Sequence, residues 1–324
     1  MCVSAAPAEF SGTVLYVGRH HHPQLGEVEV LGYQNTAVNR AGGPNAMLLH
    51  LPAAGMGREN FLDTSRTPDV LRDLVEALRP VSRAPQPAGA AVAAGAVEVF
   101  DHDIYTVVLA ADPRDIPAAL GRVPENKRPR LAPELFDFYA DTFPLYPVAL
   151  CCFDNADARR AAPLLMWYQP IYTGRLTAPA LDSHSGAAPD PQGWVRPDHW
   201  VIVGLDDAPG EWGAPVRYRR DPGPLAPFLP RRVIGQEVSL GHLRNGDFAI
   251  ALDDARAGRI DRLVRLTTDG QRIPVSSAGP PPSVEAPVPA AEDAGRRRWV
   301  KPTLMAFSVV VLTLLCGWFL IWGP

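Results

Sequence analysis

The most constraining feature of this chain is an uncharged, apolar segment at residues 303–322. At about 1.5 Å of rise per residue, a helix of this length spans about 30 Å, the thickness of the hydrocarbon core of a bilayer. Its polar side chains are the hydroxyls of Thr303, Ser308 and Thr313, which can hydrogen-bond to the helix backbone and so do not prevent insertion. A core helix of this length normally carries a polar stripe, and none is visible in the segment. The segment therefore predicts a transmembrane helix.

Basic and aromatic residues are placed around this segment as they are around membrane spans. The flanking residues of this kind are Arg296, Arg297, Arg298, Trp299, Lys301, Trp318 and Trp322. The basic residues all precede the segment, in a juxtamembrane stretch at 296–301, and cytoplasmic flanks carry the excess of Lys and Arg. The tryptophans lie where indole rings meet lipid headgroups. We therefore expect the part of the chain before residue 303 to face the cytoplasm, with the lipid bilayer as a partner of the segment.

The two ends of the sequence favour post-translational insertion. The first ten residues, MCVSAAPAEF, lack the basic stretch and apolar run of a secretory signal. Only Gly323 and Pro324 follow the apolar segment. The Ala, Arg and Pro richness of the chain is typical of a GC-rich genome. Together these features predict a single-pass, tail-anchored protein of the bacterial cytoplasmic membrane.

The remaining sequence predicts one large cytosolic region and a tether. Residues 1–275 are sufficient for an α+β globular domain, as one body or as two subdomains, and residues 276–295 form a Pro/Ala-rich linker. The formal net charge of -4 argues against a nucleic-acid partner, which favours a basic surface. The four cysteines show no disulfide pattern, which fits a reducing compartment.

Alternating and continuous apolar runs predict many short strands. The predicted strands are 13–17, 28–33, 46–51, 97–100, 105–110, 148–153, 164–168, 200–205, 233–238, 248–252, 263–267 and 272–275. One helix is predicted with Thr67 as its cap, Pro68 in its first turn, and an apolar face that runs from Val70 to Leu78. Two further helices are predicted at 114–123 and 133–142. Because hairpins outnumber helix-linked strands, the predicted fold class is α+β, with largely antiparallel sheets and a few short helices.

Cys2 is the first candidate for chemistry. A small side chain at position 2 allows removal of Met1, after which the free α-amine can act as the base for the Cys2 thiol. Met1, Cys2 and residues 15–19 (LYVGR) resemble the opening of cysteine-type N-terminal nucleophile hydrolases, such as choloylglycine hydrolases. The resemblance implies an amidohydrolase in which Cys2 is the nucleophile and Arg19 positions the substrate. The alternative is that Cys2 is an ordinary residue at a frayed terminus.

Histidine and aspartate residues are the candidates for a metal site. They are grouped at 20–22 (HHH), 101–103 (DHD), 182–184 (DSH) and 198–199 (DH). The first group is expected on a hairpin tip, where a solvated turn is favoured over a metal site. None of the groups has the spacing of zinc ligands, so a shared site needs the fold to bring His102, His184 and His199 together. No metal ion and no cofactor is assigned.

Other chemically suggestive residues are better explained by packing. Cys151 and Cys152 lie in an apolar strand, where alternation places one thiol on each face, so core positions are favoured over a redox pair. Residues 166–168 (MWY) are similarly favoured as sheet packing rather than as an aromatic cage. No glycine-rich phosphate-binding pattern occurs where a strand leads into a helix.

Three functions remain open from the sequence. The first is a membrane-tethered binding or scaffolding domain of unknown specificity, with an unknown protein or small-molecule partner. The second is the amidohydrolase that uses Cys2 and Arg19. The third is a metal-dependent hydrolase built from the histidines and aspartates. We favour the first, because it requires nothing unusual of any residue.

Overall fold

The computed structural model describes residues 3–5, 8–39, 43–79, 97–158 and 161–279. Cys2, the basic stretch and the apolar segment 303–322 lie outside these residues. Within the described ranges, no helix has both the length and the apolar character needed to cross a membrane. The described residues all belong to one compact unit.

The described part of the chain is dominated by short strands. Strands β1 to β18 cover Val3–Ser4, Ala8–His22, Gly26–Asn39, Pro44–His50, Phe61–Leu62, Glu98–His102, Tyr105–Ala110, Val148–Asp154, Leu164–Tyr168, Arg175–Ala178, Trp194–Val195, His199–Leu205, Ala214–Pro215, Arg232–Val238, Leu243–Arg244, Asp247–Ala251, Val264–Leu266 and Arg272–Pro274. Helices α1 to α4 cover Val70–Leu78, Ile116–Ala119, Pro133–Thr142 and Leu252–Arg256.

These strands form largely antiparallel sheets. A seven-stranded sheet has the order β13-β14-β12-β2-β3-β9-β5, and a five-stranded sheet has the order β1-β4-β8-β7-β6. A four-stranded sheet, β10-β16-β17-β18, and the pair β11-β15 complete the described set. Among the described strands, β12 and β2 form the one parallel pair, which joins distant parts of the chain in the middle of the largest sheet. The predicted fold class, α+β with mostly antiparallel sheets and few short helices, is therefore confirmed.

The two larger sheets pack face to face, with helices on their outer faces. On β2, Leu15 belongs to the core between the sheets, whereas Tyr16 packs against α1 on the outer face. On β8, Cys151 belongs to the central core and Cys152 to the outer layer with α2 and α3. Both thiols are buried, and burial raises the pKa of Cys152 to about 12. The prediction of two core cysteines on opposite faces is confirmed.

The helices match the sequence prediction unevenly. Helix α3 has the predicted bounds, but the region 114–123 is broken into α2 between two short 3-10 turns. Pro117 explains the break, because it has no N–H to continue a helix from the carbonyl of Pro113. The prediction that Thr67 caps α1 is wrong, because the N-cap residue is Asp69. Among the described residues, the Thr67 hydroxyl has no hydrogen-bond partner.

The folded unit also extends into the predicted linker. Residues Val275–Ser277 form a 3-10 turn, and the Gly279 carbonyl accepts a 2.6 Å hydrogen bond from the His242 N–H. Residues 280–295 lie outside the described part of the chain. The first four residues of the Pro/Ala-rich stretch therefore pack on the domain.

Candidate functional site

A cleft of about 370 Å³ opens beside the four-stranded sheet. Its walls come from the loop after α3, the turn that leads into β10, and the segments around β16 and β17. The polar and charged side chains that matter most for its chemistry are Tyr146, Tyr172, Arg175, Asp247 and Arg272. Leu145 lies at its rim with 74% of its surface exposed. The cleft therefore combines converging polar groups with an apolar edge.

Asp247, the first residue of β16, provides the buried carboxylate of the cleft. It accepts hydrogen bonds from His50 Nε2 at 2.9 and 3.0 Å and from the Ala180 N–H at 2.8 Å. Burial acts to raise the pKa of Asp247, but His50, the Ala180 amide and Arg265 together hold it below its usual range. The His50 ring in turn stacks on Phe143 at 4.3 Å between centroids. Asp247 is therefore an ionised wall residue in a fixed orientation.

Two tyrosines and an arginine form a further part of the cleft wall. Burial raises the pKa of Tyr146 above its ordinary value, and a hydrogen bond with Tyr172 and the charge of Asp247 add to this effect. The Tyr146 hydroxyl therefore stays protonated at physiological pH. The Arg175 guanidinium lies 3.7 Å from the centre of the Tyr172 ring. Its Nε is buried and has no hydrogen-bond partner among the described residues.

Arg19 supports this wall from inside the protein. Its guanidinium donates to the carbonyls of Tyr172 and Thr173 at 2.9 Å each and to Glu29 Oε2 at 2.9 Å. Arg19 is 5% exposed, so these contacts are made away from water. The residue predicted to position a substrate thus holds the 172–175 turn that forms the cleft. Its pairing with Cys2 stays a prediction, since Cys2 lies outside the described residues.

Glu29 is the buried partner of Arg19. It also accepts a 3.2 Å hydrogen bond from the Tyr168 hydroxyl and one from the Thr177 N–H. Burial raises the pKa of Glu29 to about 7, against the opposing effects of Arg19, Tyr168 and Thr177. Glu29 therefore changes charge near neutral pH directly behind the wall of the cleft.

Glu29→Gln is expected to remove part of the pH dependence of stability. The folded pKa of about 7 lies above the ordinary 4.5, so protonation of Glu29 stabilises the fold fully below pH 4.5. This contribution is lost as the pH rises through about 7, and at 1.36 kcal/mol per pKa unit the loss is about 3 kcal/mol. Urea unfolding at pH 5 and pH 8 measures it, with the exposed Glu134→Gln as a matched control. If the free energy of unfolding changes equally between pH 5 and pH 8 in wild type and in Glu29→Gln, this assignment is contradicted.

A second polar chain lies in the middle of the seven-stranded sheet, on β2 and just after β12. The Tyr16 hydroxyl lies 2.5 Å from His20 Nε2, and His20 Nδ1 lies 3.0 Å from Asp206 Oδ1. Burial raises the pKa of Tyr16 well above its ordinary value. Asp206 lines a larger cavity of about 840 Å³, whose wall is mostly proline and apolar. The buried members of this chain are packed in the sheet, so the smaller cleft, where more polar groups converge, is the better candidate site.

The expected solvated histidine turn is wrong for His20. The hairpin turn lies at residues 23–25, and His20 is a buried residue of β2 with 1% exposure. His21 is exposed, and His22 stacks on Phe228 at 4.7 Å between centroids. The missed signal is strand length, because β2 continues five residues beyond the predicted end at Val17.

The composite metal site does not form among the described residues. His102 packs edge-on against Phe61, His184 lies 2.9 Å from Asp182, and His199 packs against Phe248. No group of three or more His, Cys, Asp or Glu side chains in the described part of the chain is arranged to hold a metal ion. The hypothesis of a metal-dependent hydrolase built on these three histidines is therefore not supported.

No sequence pattern predicts the residues of the cleft. His50 ends the apolar strand β4, and Asp247 begins the apolar strand β16. A charged or polar residue that is contiguous with a buried strand needs a partner, and this was the available signal. The partners themselves are not readable from the sequence, because 197 positions separate His50 from Asp247.

Comparison with known proteins gives distant structural likeness alone. No protein-family model matches the chain, and no curated protein matches it. Among solved structures, it is similar to baculovirus P35, with 15% sequence identity and a TM-score of 0.37 over 63% of this chain and 67% of that chain. It is also similar to a chain of the caspase-8/P35 complex, with 15% identity and a TM-score of 0.36 over 60% and 63% of the two chains. A likeness of this degree supports no conclusion about fold or function.

Proposed function

We propose that this chain is a membrane-anchored binding protein whose cytosolic domain holds a small molecule in the cleft beside Asp247. The observation that carries the proposal is the convergence of Asp247, Tyr146, Tyr172 and Arg175 on a cleft of about 370 Å³. Small-molecule sites are typically concave, mostly apolar, of about 300–1,000 Å³, and carry a few placed polar groups. The cleft has each of these properties.

Binding is favoured over hydrolysis by the chemistry of the groups present. The partners of Asp247 hold it ionised, and burial holds Tyr146 protonated, so these two groups suit fixed hydrogen bonding. The described thiols, Cys151 and Cys152, are fully buried. Neither of these thiols lines the cleft, so a cysteine-based covalent mechanism in this cleft has no nucleophile among the described residues.

The anchor part of the proposal rests on the apolar segment 303–322 and its basic flank. We expect the full chain to sediment with membranes, to resist extraction by alkaline carbonate, and to be released by detergent. The chain that ends at Pro302 is expected in the supernatant, because the folded unit closes before the segment begins. Recovery of the full chain in the supernatant without detergent would end the anchor proposal.

The cleft part is tested by blocking the cleft. Thr268 lines it and is partly exposed, so Thr268→Trp fills the space without opening a core position. The full chain in detergent is screened by thermal unfolding against a panel of small carboxylates, phosphonates, amines and neutral amides. Compounds that raise the Tm of wild type are expected to lose this effect in Thr268→Trp and to keep it in the exposed control Arg262→Trp. If the same compounds still raise the Tm of Thr268→Trp, the cleft is not their binding site.

A further inference from the structure

The charges around the cleft do not balance. Asp247 is matched from behind by His50, at 2.9 Å, and by the buried Arg265. Arg175 and Arg272 line the same cleft, and among the described residues no carboxylate lies within ion-pair distance of either guanidinium. The cleft therefore has an excess of positive charge, which favours an anionic ligand.

Arg175 is also fixed in position before any ligand arrives. Its guanidinium lies against the Tyr172 ring, and its carbonyl accepts a hydrogen bond from Arg19 at 3.4 Å. An arginine held in this way loses little further entropy on binding, and its planar donors match the two oxygens of a carboxylate. Within the described part of the chain, the buried Nε of Arg175 has no hydrogen-bond partner, so at least this donor is left unsatisfied.

The rest of the lining selects the body and the charge of the ligand. Phe143, Tyr146 and Leu266 offer flat and apolar surface beside the arginine. Flat rings pack well against such surfaces, by stacking or edge contacts. Asp247 also lines the cleft, and its negative charge repels a dianion more strongly than a monoanion. A ligand with one carboxylate and one aromatic ring satisfies all three conditions.

We infer that the cleft binds a small aryl carboxylate, with its carboxylate on the Arg175 guanidinium and its ring packed against the surface formed by Phe143 and Tyr146, whose own ring centroids lie 5.1 Å apart. This inference rests on the proposed binding function and adds the ligand class. Tyr146 and Tyr172 are hydrogen-bonded to each other, so the pair keeps one O–H that can donate to a second polar group on the ligand. Arg272 lies at the exposed side of the cleft and adds attraction without fixed geometry.

Isothermal titration of the full chain in detergent tests the ligand class with four matched probes. They are 3-phenylpropionate, 2-phenylethylphosphonate, 3-phenylpropylamine and 3-phenylpropanamide. The titrations are made above the second pKa of the phosphonate, where this probe is a dianion. We expect 3-phenylpropionate to bind most tightly, because it alone then combines the ring with a single negative charge. If the amine binds more tightly, Asp247 sets the specificity of the cleft. If the phosphonate binds more tightly, the ligand is phosphate-like rather than a carboxylate. Either result would overturn the inference while leaving the cleft as a binding site.

Variants test the role of Arg175. Arg175→Met is expected to weaken binding of 3-phenylpropionate at least about tenfold, since it removes charge-assisted hydrogen bonds. Arg175→Lys keeps the charge and is expected to recover part of the affinity, and the exposed Arg262→Met is expected to leave it unchanged. The Tm of each variant is measured alongside, so that a loss of fold is recognised. Unchanged affinity in a folded Arg175→Met, or no binding of any of the four probes to wild type, would overturn the inference. If other compounds raise the Tm of wild type but not of Thr268→Trp, the cleft is still supported as the binding site.

Discussion

Arg19→Met is expected to lower the free energy of unfolding by about 3–5 kcal/mol at pH 8, which is the usual cost of removing one partner of a buried ion pair. The substitution removes the cation that pairs with Glu29, whose side chain is 2% exposed. It also removes the hydrogen-bond donor of the Tyr172 and Thr173 carbonyls. Methionine fills much of the space of the arginine stem, so the loss reports the charge and hydrogen bonds rather than a cavity. Urea unfolding followed by far-UV circular dichroism measures it.

The pH dependence separates this explanation from a general packing defect. At pH 5, Glu29 is protonated in the folded protein, because burial raises its pKa to about 7. The cost of Arg19→Met is therefore expected to be smaller at pH 5 than at pH 8. The control Arg262→Met, at a side chain with 62% exposure, is expected to stay within about 0.5 kcal/mol of wild type at both values. An equal loss for Arg19→Met at both pH values would contradict the role given to Glu29.

Loss of Arg19 is also expected to weaken the cleft. The 172–175 turn carries Tyr172 and Arg175, and Arg19 is bonded to its backbone at three carbonyls. A ligand held by Arg175 depends on this positioning, so the affinity for 3-phenylpropionate is expected to fall in Arg19→Met by more than in Arg272→Met. If the variant binds the ligand as wild type does, Arg19 has a role in stability alone.

The strands were predictable because they depend on local pattern. The hairpin of β2 and β3 follows from apolar runs on both sides of a Pro- and Gly-containing turn, and α3 has the predicted bounds. The pairing of β2 with β12 was not predictable, since it joins Val17 to Val203 across most of the chain. Local periodicity indicates which residues are buried, but it does not indicate which distant strand covers them.

The candidate site was missed for the same physical reason. Arg19 was singled out from the sequence, but its partners at 172–175 lie more than 150 positions away. His50 and Asp247 come from strands of two different sheets. Such polar pairs are created by the packing of sheets, and no short motif encodes them. The Cys2 and 303–322 predictions stay predictions, because both lie outside the described residues.

Asp247→Ala is expected to destabilise the protein by about 3–5 kcal/mol at pH 7, because His50 and Arg265 then lose the carboxylate that compensates them. The Ala180 N–H also loses its acceptor at 2.8 Å. The matched control is Asp261→Ala, since this side chain is 72% exposed and pairs only with its neighbour Arg262. The control is expected to change stability by less than about 0.5 kcal/mol.

The isosteric Asp247→Asn isolates the charge and gives the sign of its pH dependence. The folded pKa of Asp247 lies below the ordinary 3.8, so its ionised form stabilises the fold above pH 3.8, and this contribution is lost as the pH falls through the folded pKa. The stability difference between wild type and Asp247→Asn is therefore expected to be constant from pH 5 to 7 and to shrink below pH 3.8. Glu29 acts in the opposite direction over the range from about 4.5 to 7. Glu29 and Asp247 therefore make the free energy of unfolding change with pH in opposite directions. A single pH series with both variants distinguishes their contributions.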